Sequence, residues 1–141
     1  MAESFNPPDV WSPFGAFSMG VAQGDGRIVH LKGQVALDRE GQLVGRHDMA
    51  VQVQQALQNI QAVLAFVGGR MEDVISLTQH VTDINAFMAC GAIRQAFFSP
   101  PFPVTTTVEV KRLYHPDVLV EITAIAEIPN HRYKPPSNAA S

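Results

Sequence analysis

The most chemically suggestive side chain is a glutamate set in an apolar strand. Glu121 stands between Val120 and Ile122 in the run from Leu119 to Ala126. On a strand it shares a face with Leu119 and Thr123, where a partly buried carboxylate can take and return a proton. The plainer role is an exposed strand glutamate paired with Lys111 or Arg112. A second run, Pro101 to Leu113, carries three successive hydroxyls, Thr105, Thr106 and Thr107, which serve as ordinary β-formers as readily as ligands. Phe17 either walls an apolar pocket or belongs to the core. Lys32 and Arg112 are cations able to hold an anion, or simply to sit in water.

Other chemistries find little support. His30, His47, His80, His115 and His131 are scattered, with no HxH, HExxH or CxxC spacing, so no metal site is expected. Gly24-Asp25-Gly26 opens no phosphate-binding loop, and no GxSxG elbow occurs. Lys and Arg total 10 against 13 Asp and Glu, a formal charge of -3 without a basic run. Nucleic-acid grooves call for a clustered positive footprint, so no nucleic-acid partner is expected. The one cysteine, Cys90, forms no internal disulfide and reads as a small buried hydrophobe in a reducing compartment. The N-terminal stretch lacks the basic start and apolar core of a signal peptide, and no run is long enough to cross a bilayer. A soluble, cytoplasmic protein with no membrane partner and no cofactor is the expectation.

The elements that must position these residues can be read in order. Residues 1–16 hold Pro7, Pro8 and Pro13 and predict an extended arm, followed by one domain over 17–129 and a tail over 130–141. Phe17 to Ala22 alternates as a strand, Gln23 to Gly26 is turn chemistry, and Arg27 to Leu31 returns as a hairpin. Gly33 to Leu37 is expected to extend the sheet, with a short pair at Leu43-Val44. Val53, Ala56, Leu57, Ile60, Val63, Leu64 and Val67 recur at steps of three and four, predicting a helix capped by Asp48 and stopped by Gly68-Gly69. Gln52, Gln55, Gln58 and Gln61 fall on its polar face. Val74 to Thr82 is a strand, and Asp83 or Asn85 caps a second helix ending at Phe97-Phe98. Two strands, joined through a turn at His115-Pro116-Asp117, finish the domain.

The order is βββαβαββ, an α+β arrangement with helices layered on one sheet face. Two helices cover one face, yet the last strand is apolar in both phases: Val120, Ile122, Ala124 and Ala126 one way, Leu119 and Ile125 the other. Such a strand calls for cover on both sides, most simply by another copy of the chain. A closed homo-oligomer is expected.

From about Phe17 to Ile128 the sequence resembles the RidA/YjgF family of enamine/imine deaminases, also labelled L-PSP endoribonucleases. The resemblance rests on Lys32-Gly33-Gln34, where the family has Ser-Gly-Gln, and on Leu57-Gln58-Asn59-Ile60 in the Gln-rich helix. It rests further on Asp83 to Phe87 followed by Ala96-Phe97-Phe98, on Pro103 to Leu113, and on Val120 to Ala126. It implies a chorismate-mutase-like fold, a six-stranded mixed sheet with two helices on one face. It also implies a homotrimer with small-molecule pockets between subunits. Glu121 matches the family glutamate that positions the hydrolytic water. Deaminase members carry an arginine two residues after the proline that opens the strand, and its guanidinium clamps a substrate carboxylate. Here that position is Thr105, which offers one neutral hydrogen bond of about 1 kcal/mol in place of a charge-assisted one of roughly 1.5–3. Phe17 replaces a common pocket tyrosine, Gly91 an asparagine and Thr107 a cysteine.

Three functions follow. The first is hydrolytic deamination of an enamine or imine that is not a simple 2-iminocarboxylate. Glu121 is then the acid/base, and backbone near Gly33 and Thr105–Thr107 holds the substrate. The second is a metabolite-binding trimer without chemistry. The third, ribonuclease action, is opposed by the acidic balance.

Overall fold

The computed structural model describes residues 1–136. Strands β1 (Glu3–Phe5), β2 (Gly20–Ala22) and β3 (Arg27–His30) lead into helix α1 (Met49–Phe66). A 3-10 turn at Met71–Asp73 opens strand β4 (Val74–Val81). Helices α2 (Ile84–Met88) and α3 (Gly91–Phe97) then precede strands β5 (Val104–Glu109) and β6 (Val120–Ile128). The α+β class is as expected. The six strands, however, divide into a two-stranded sheet, β1-β2, and a four-stranded sheet ordered β3-β6-β4-β5.

That division has local causes. The arm contributes β1, which pairs antiparallel with β2 from Glu3↔Ala22 to Phe5↔Gly20. The bare Cα of Gly20 leaves room for the Phe5 ring. β2 therefore takes its partner from the arm, and the expected strand from Phe17 shortens to three residues. The turn at residues 23–26 instead wraps the Glu127 carboxylate, which accepts from the Gly24 and Gly26 N–H groups at 2.8 and 2.9 Å. Gly33 to Leu37 and Leu43-Val44 form no strands; they contribute the isolated bridges Gln34↔Ile122 and Leu37↔Leu43.

α1 forms where the spacing places it. Asp48 accepts from Val51 N–H at 3.1 Å as the cap, and Gly68 takes a left-handed φ of 83° at the stop. Val53, Ala56, Leu57, Ile60 and Leu64 are fully buried against Val120, Ile122, Ala124 and Ala126 of β6 and Leu77 and Val81 of β4. Each large side chain so buried contributes about 1.5–3 kcal/mol over an exposed one. Two positions depart from the expected stripe: Val63 is 42% exposed, and Gln52 is buried. Gln52 is inside because the loops flanking the helix need it. Its amide nitrogen donates to Gly45 O and Asp117 O at 3.1 and 2.9 Å, and its oxygen accepts from Leu119 N–H at 2.8 Å.

β4 and β5 are parallel, so a crossover must join them, and α2–α3 supplies it. Asp83 caps α2 through Ala86 N–H at 3.0 Å. The expected single helix breaks at Ala89-Cys90. The start of the tail is anchored rather than loose: Arg132 grips Asp73 with two bonds of 2.9 and 2.6 Å, and Lys134 N–H donates to Val67 O at 2.9 Å. The rest of that segment, 137–141, lies outside the described residues. No described helix is long and apolar enough to cross a membrane.

Candidate functional site

Strand alternation decides where Glu121 goes. Val120 and Ile122 face the helices, so Glu121 and Thr123 face the other way, beside their cross-strand partners His80 and Thr78 on β4. The segment ending in Gly33 and Gln34 runs along this part of β6, tied by Gln34 N–H to Ile122 O at 2.8 Å and Ile122 N–H to Gln34 O at 2.9 Å. At Gly33 the approach is close: an added Cβ would collide with the Glu121 carboxylate oxygen and lie 2.9 Å from its carboxyl carbon. Glu121 is half-buried there. The ion pairs among the described residues leave it out, so pairing with Lys111 or Arg112 is not seen.

The threonines split across the sheet. Thr105 pairs with Leu77 and Thr107 with Gln79, both on the helix side, and Thr107 Oγ1 accepts from Gln79 Nε2 at 2.8 Å. Thr106, opposite Thr78, shares the open face with Thr123. Within one chain, then, Thr105 and Thr107 lie on the face opposite Glu121. β5 also has a strand partner on one side only.

Phe17 belongs to an aromatic cluster with Trp11 and Phe14, at centroid distances of 5.8 and 5.2 Å. The next residue ties this cluster to the opening of β5. Ser18 N–H donates to Pro103 O at 2.9 Å, and its hydroxyl donates to Phe102 O at 2.6 Å. Gly91 begins α3 with nothing within 4 Å of where a side chain would start. Lys32 is exposed, and with Gly33, Gln34, Arg39, Asn59 and Tyr114 it lines a groove of about 920 Å³. A second cavity, about 730 Å³, lies between the arm and the end of the sheet and includes neither Glu121 nor any of the proposed substrate-binding residues.

Two polar residues on the helix side went unnoticed in the sequence. Gln79 is fully buried, and its Oε1 has no hydrogen-bond partner among the described residues. Arg94 has a buried Nε that is likewise unpartnered, and its guanidinium carbon lies 4.9 Å from the centre of the Phe87 ring. Burial lowers the Arg94 pKa. The spacing of Phe87, Cys90, Arg94 and Phe97 was the available signal, since it puts one cation on an otherwise apolar helical stripe.

The sequence matches the family described as Endoribonuclease L-PSP over residues 9–128. It is 36% identical over 116 residues to a RutC family protein of Saccharolobus solfataricus, covering 82% of this chain and 89% of that one. It is 32% identical over 129 residues to a 2-iminobutanoate/2-iminopropanoate deaminase of Salmonella typhimurium, covering 89% and 98%. Among solved structures, YyfB of Yersinia pestis, a Rid-family protein of unknown function, superposes with a TM-score of 0.82 at 32% identity, covering 90% of this chain and 98% of that one. RidA from an Antarctic Psychrobacter superposes with a TM-score of 0.66 at 28% identity, covering 89% and 99%.

Proposed function

The chain belongs to the L-PSP endoribonuclease (Rid) family, and on that premise we propose that it hydrolyses an enamine or imine metabolite in a pocket built between subunits of a homotrimer. Relatives named as imine deaminases support the reaction class. The observation that carries the residue assignment is the Glu121 carboxylate lying over the bare Cα of Gly33. An enamine first takes a proton on carbon and becomes an imine. Glu121 then removes a proton from water as its oxygen bonds to the imine carbon. The carboxyl returns that proton to nitrogen to give a carbinolamine; Glu121 then relays the hydroxyl proton to the departing nitrogen as the C–N bond breaks, and ammonia leaves behind a carbonyl compound.

The two faces support a pocket shared between chains. Thr105 and Glu121 lie on opposite faces of the sheet within a chain, and a neighbouring copy placed along the free edge of β5 would bring the Thr105 side of one sheet toward the Glu121 side of another. Phe17, Gly91, Thr106 and Thr107 complete the proposed substrate contacts, with Lys32 and Gly33 at the rim. Thr105 gives no positive charge, so the substrate is not a simple 2-iminocarboxylate held as the family clamp would hold it. A cytoplasmic setting suits the buried free thiol of Cys90.

The test is ammonia release from a panel of imines by the wild type beside Glu121→Ala. A loss of at least a hundredfold in the variant is expected, and equal rates overturn the reading. Thr105 and the empty position at Gly91 favour one alternative, a trimer that binds a metabolite without turning it over. Ligand-dependent thermal stabilisation with no ammonia release from any imine would mark that case. Ribonuclease activity is opposed by the net charge of -3.

A further inference from the structure

We propose that Arg94 binds an acidic group of the substrate, so that a guanidinium on α3 takes over the anion recognition that Thr105 cannot supply. The inference rests on the pocket reading above, but it concerns binding and not turnover. Its first support is an unfilled donor: the Arg94 Nε is buried and has no hydrogen-bond partner. No carboxylate forms an ion pair with it among the described residues. Its neighbours are the fully buried Phe87 ring and, one helical turn back, the Cys90 thiol, which donates to Ala86 O at 3.3 Å. The residue as a whole is half-buried and keeps its charge, so a guanidinium with an unfilled donor and no counter-ion is open to an anion.

Space and placement support access. Gly91, three residues back and therefore on the neighbouring part of the same helix surface, leaves open room where a side chain would begin. α3 lies in the crossover that joins β4 to β5, on the side of the sheet where Thr105 and Thr107 project. The same side holds the unfilled Oε1 of Gln79 beside Thr107. Because the cation sits on a helix and not at strand position 105, the acid group should lie on a side arm, away from the imine carbon.

The test uses the full-length protein and two stable keto acids, pyruvate and levulinate, each beside its neutral amide. Levulinate should bind the wild type more tightly than its amide does. Arg94→Gln should weaken levulinate roughly ten- to a hundredfold and leave the amide unchanged, with Arg94→Lys recovering part of the loss. Loss of a half-buried charge that has no ion-pair partner among the described residues should leave Arg94→Gln melting close to the wild type. Equal binding of acid and amide, no acid binding at millimolar concentration, or unchanged levulinate binding by Arg94→Gln would each overturn the proposal. Loss of the oligomer in Arg94→Gln would do so too, by assigning the guanidinium to a subunit contact. Acid binding through Arg94 without hydrolysis of any imine would overturn the deaminase reading and leave this one standing.

Discussion

The carboxylate of Glu121 occupies the space that a side chain at residue 33 would need, so only glycine lets the two segments meet as they do. Gly33→Ala should therefore displace the carboxylate while leaving the buried core intact. Displacing a proton-transfer group by about 1 Å can cost roughly a hundredfold in rate. We expect kcat for imine hydrolysis to fall by that order in Gly33→Ala, with only a small change in melting temperature. A variant that keeps full kcat would show that the close approach has no part in catalysis.

Gln52 holds three loop groups from inside the core. Gln52→Leu keeps a similar volume but strands the Gly45 and Asp117 carbonyls and the Leu119 N–H. Each unsatisfied buried group costs about 1–3 kcal/mol, part of which water can recover at the loops, so a loss of roughly 2–4 kcal/mol is expected. Denaturant midpoints at unchanged m-value are the measurement.

Asp73 and Arg132 pin the start of the C-terminal segment through a pair whose side chains are 6% and 18% exposed. Breaking a fully buried pair costs about 3–5 kcal/mol. The partial exposure of Arg132 lowers the expected cost of Arg132→Ala to roughly 2–3 kcal/mol. Faster chymotryptic cleavage after Tyr133 should accompany it, because the bond from Lys134 N–H to Val67 O would lose its neighbouring anchor.

The Cys90 thiol should make stability fall in alkali. Burial, reinforced by Asp48 and opposed by Arg94, raises its pKa above the ordinary value. The folded state therefore holds this proton more tightly than the unfolded chain does. The resulting stabilisation is complete below the unfolded pKa of about 8.5 and is lost as pH rises toward the folded value. Urea midpoints measured from about pH 8 to 10 should drop more steeply for the wild type than for Cys90→Ala. Parallel slopes would contradict this.

What the sequence revealed, and what it hid, divides by the range of the interactions. α1, its Asp48 cap and its Gly68 stop depend on neighbours in sequence, and all three appear where spacing places them. Glu121 on a strand was legible from alternation alone. The pairing of β2 with the arm was not, because Gly20 accommodates a ring from residue 5 and nothing local announces that contact. Gln52 was misplaced for the same reason, since its partners lie as far along the chain as Leu119. The separation of Thr105 and Glu121 onto opposite faces needed the register of three strands at once. Arg94 was hidden because an arginine on a helix ordinarily lies in water, and only packing shows that the Nε of this one is covered beside Phe87.

The most direct test of a site shared between chains is complementation in mixed oligomers. Glu121→Ala removes the acid/base from one wall, and Thr105→Trp blocks the other wall, so each variant alone should be inactive. Refolded together, the two should regain part of the wild-type ammonia release, because some pockets then combine an intact Glu121 from one chain with an intact Thr105 from its neighbour. Mixed oligomers verified by mass that remain inactive would contradict the account.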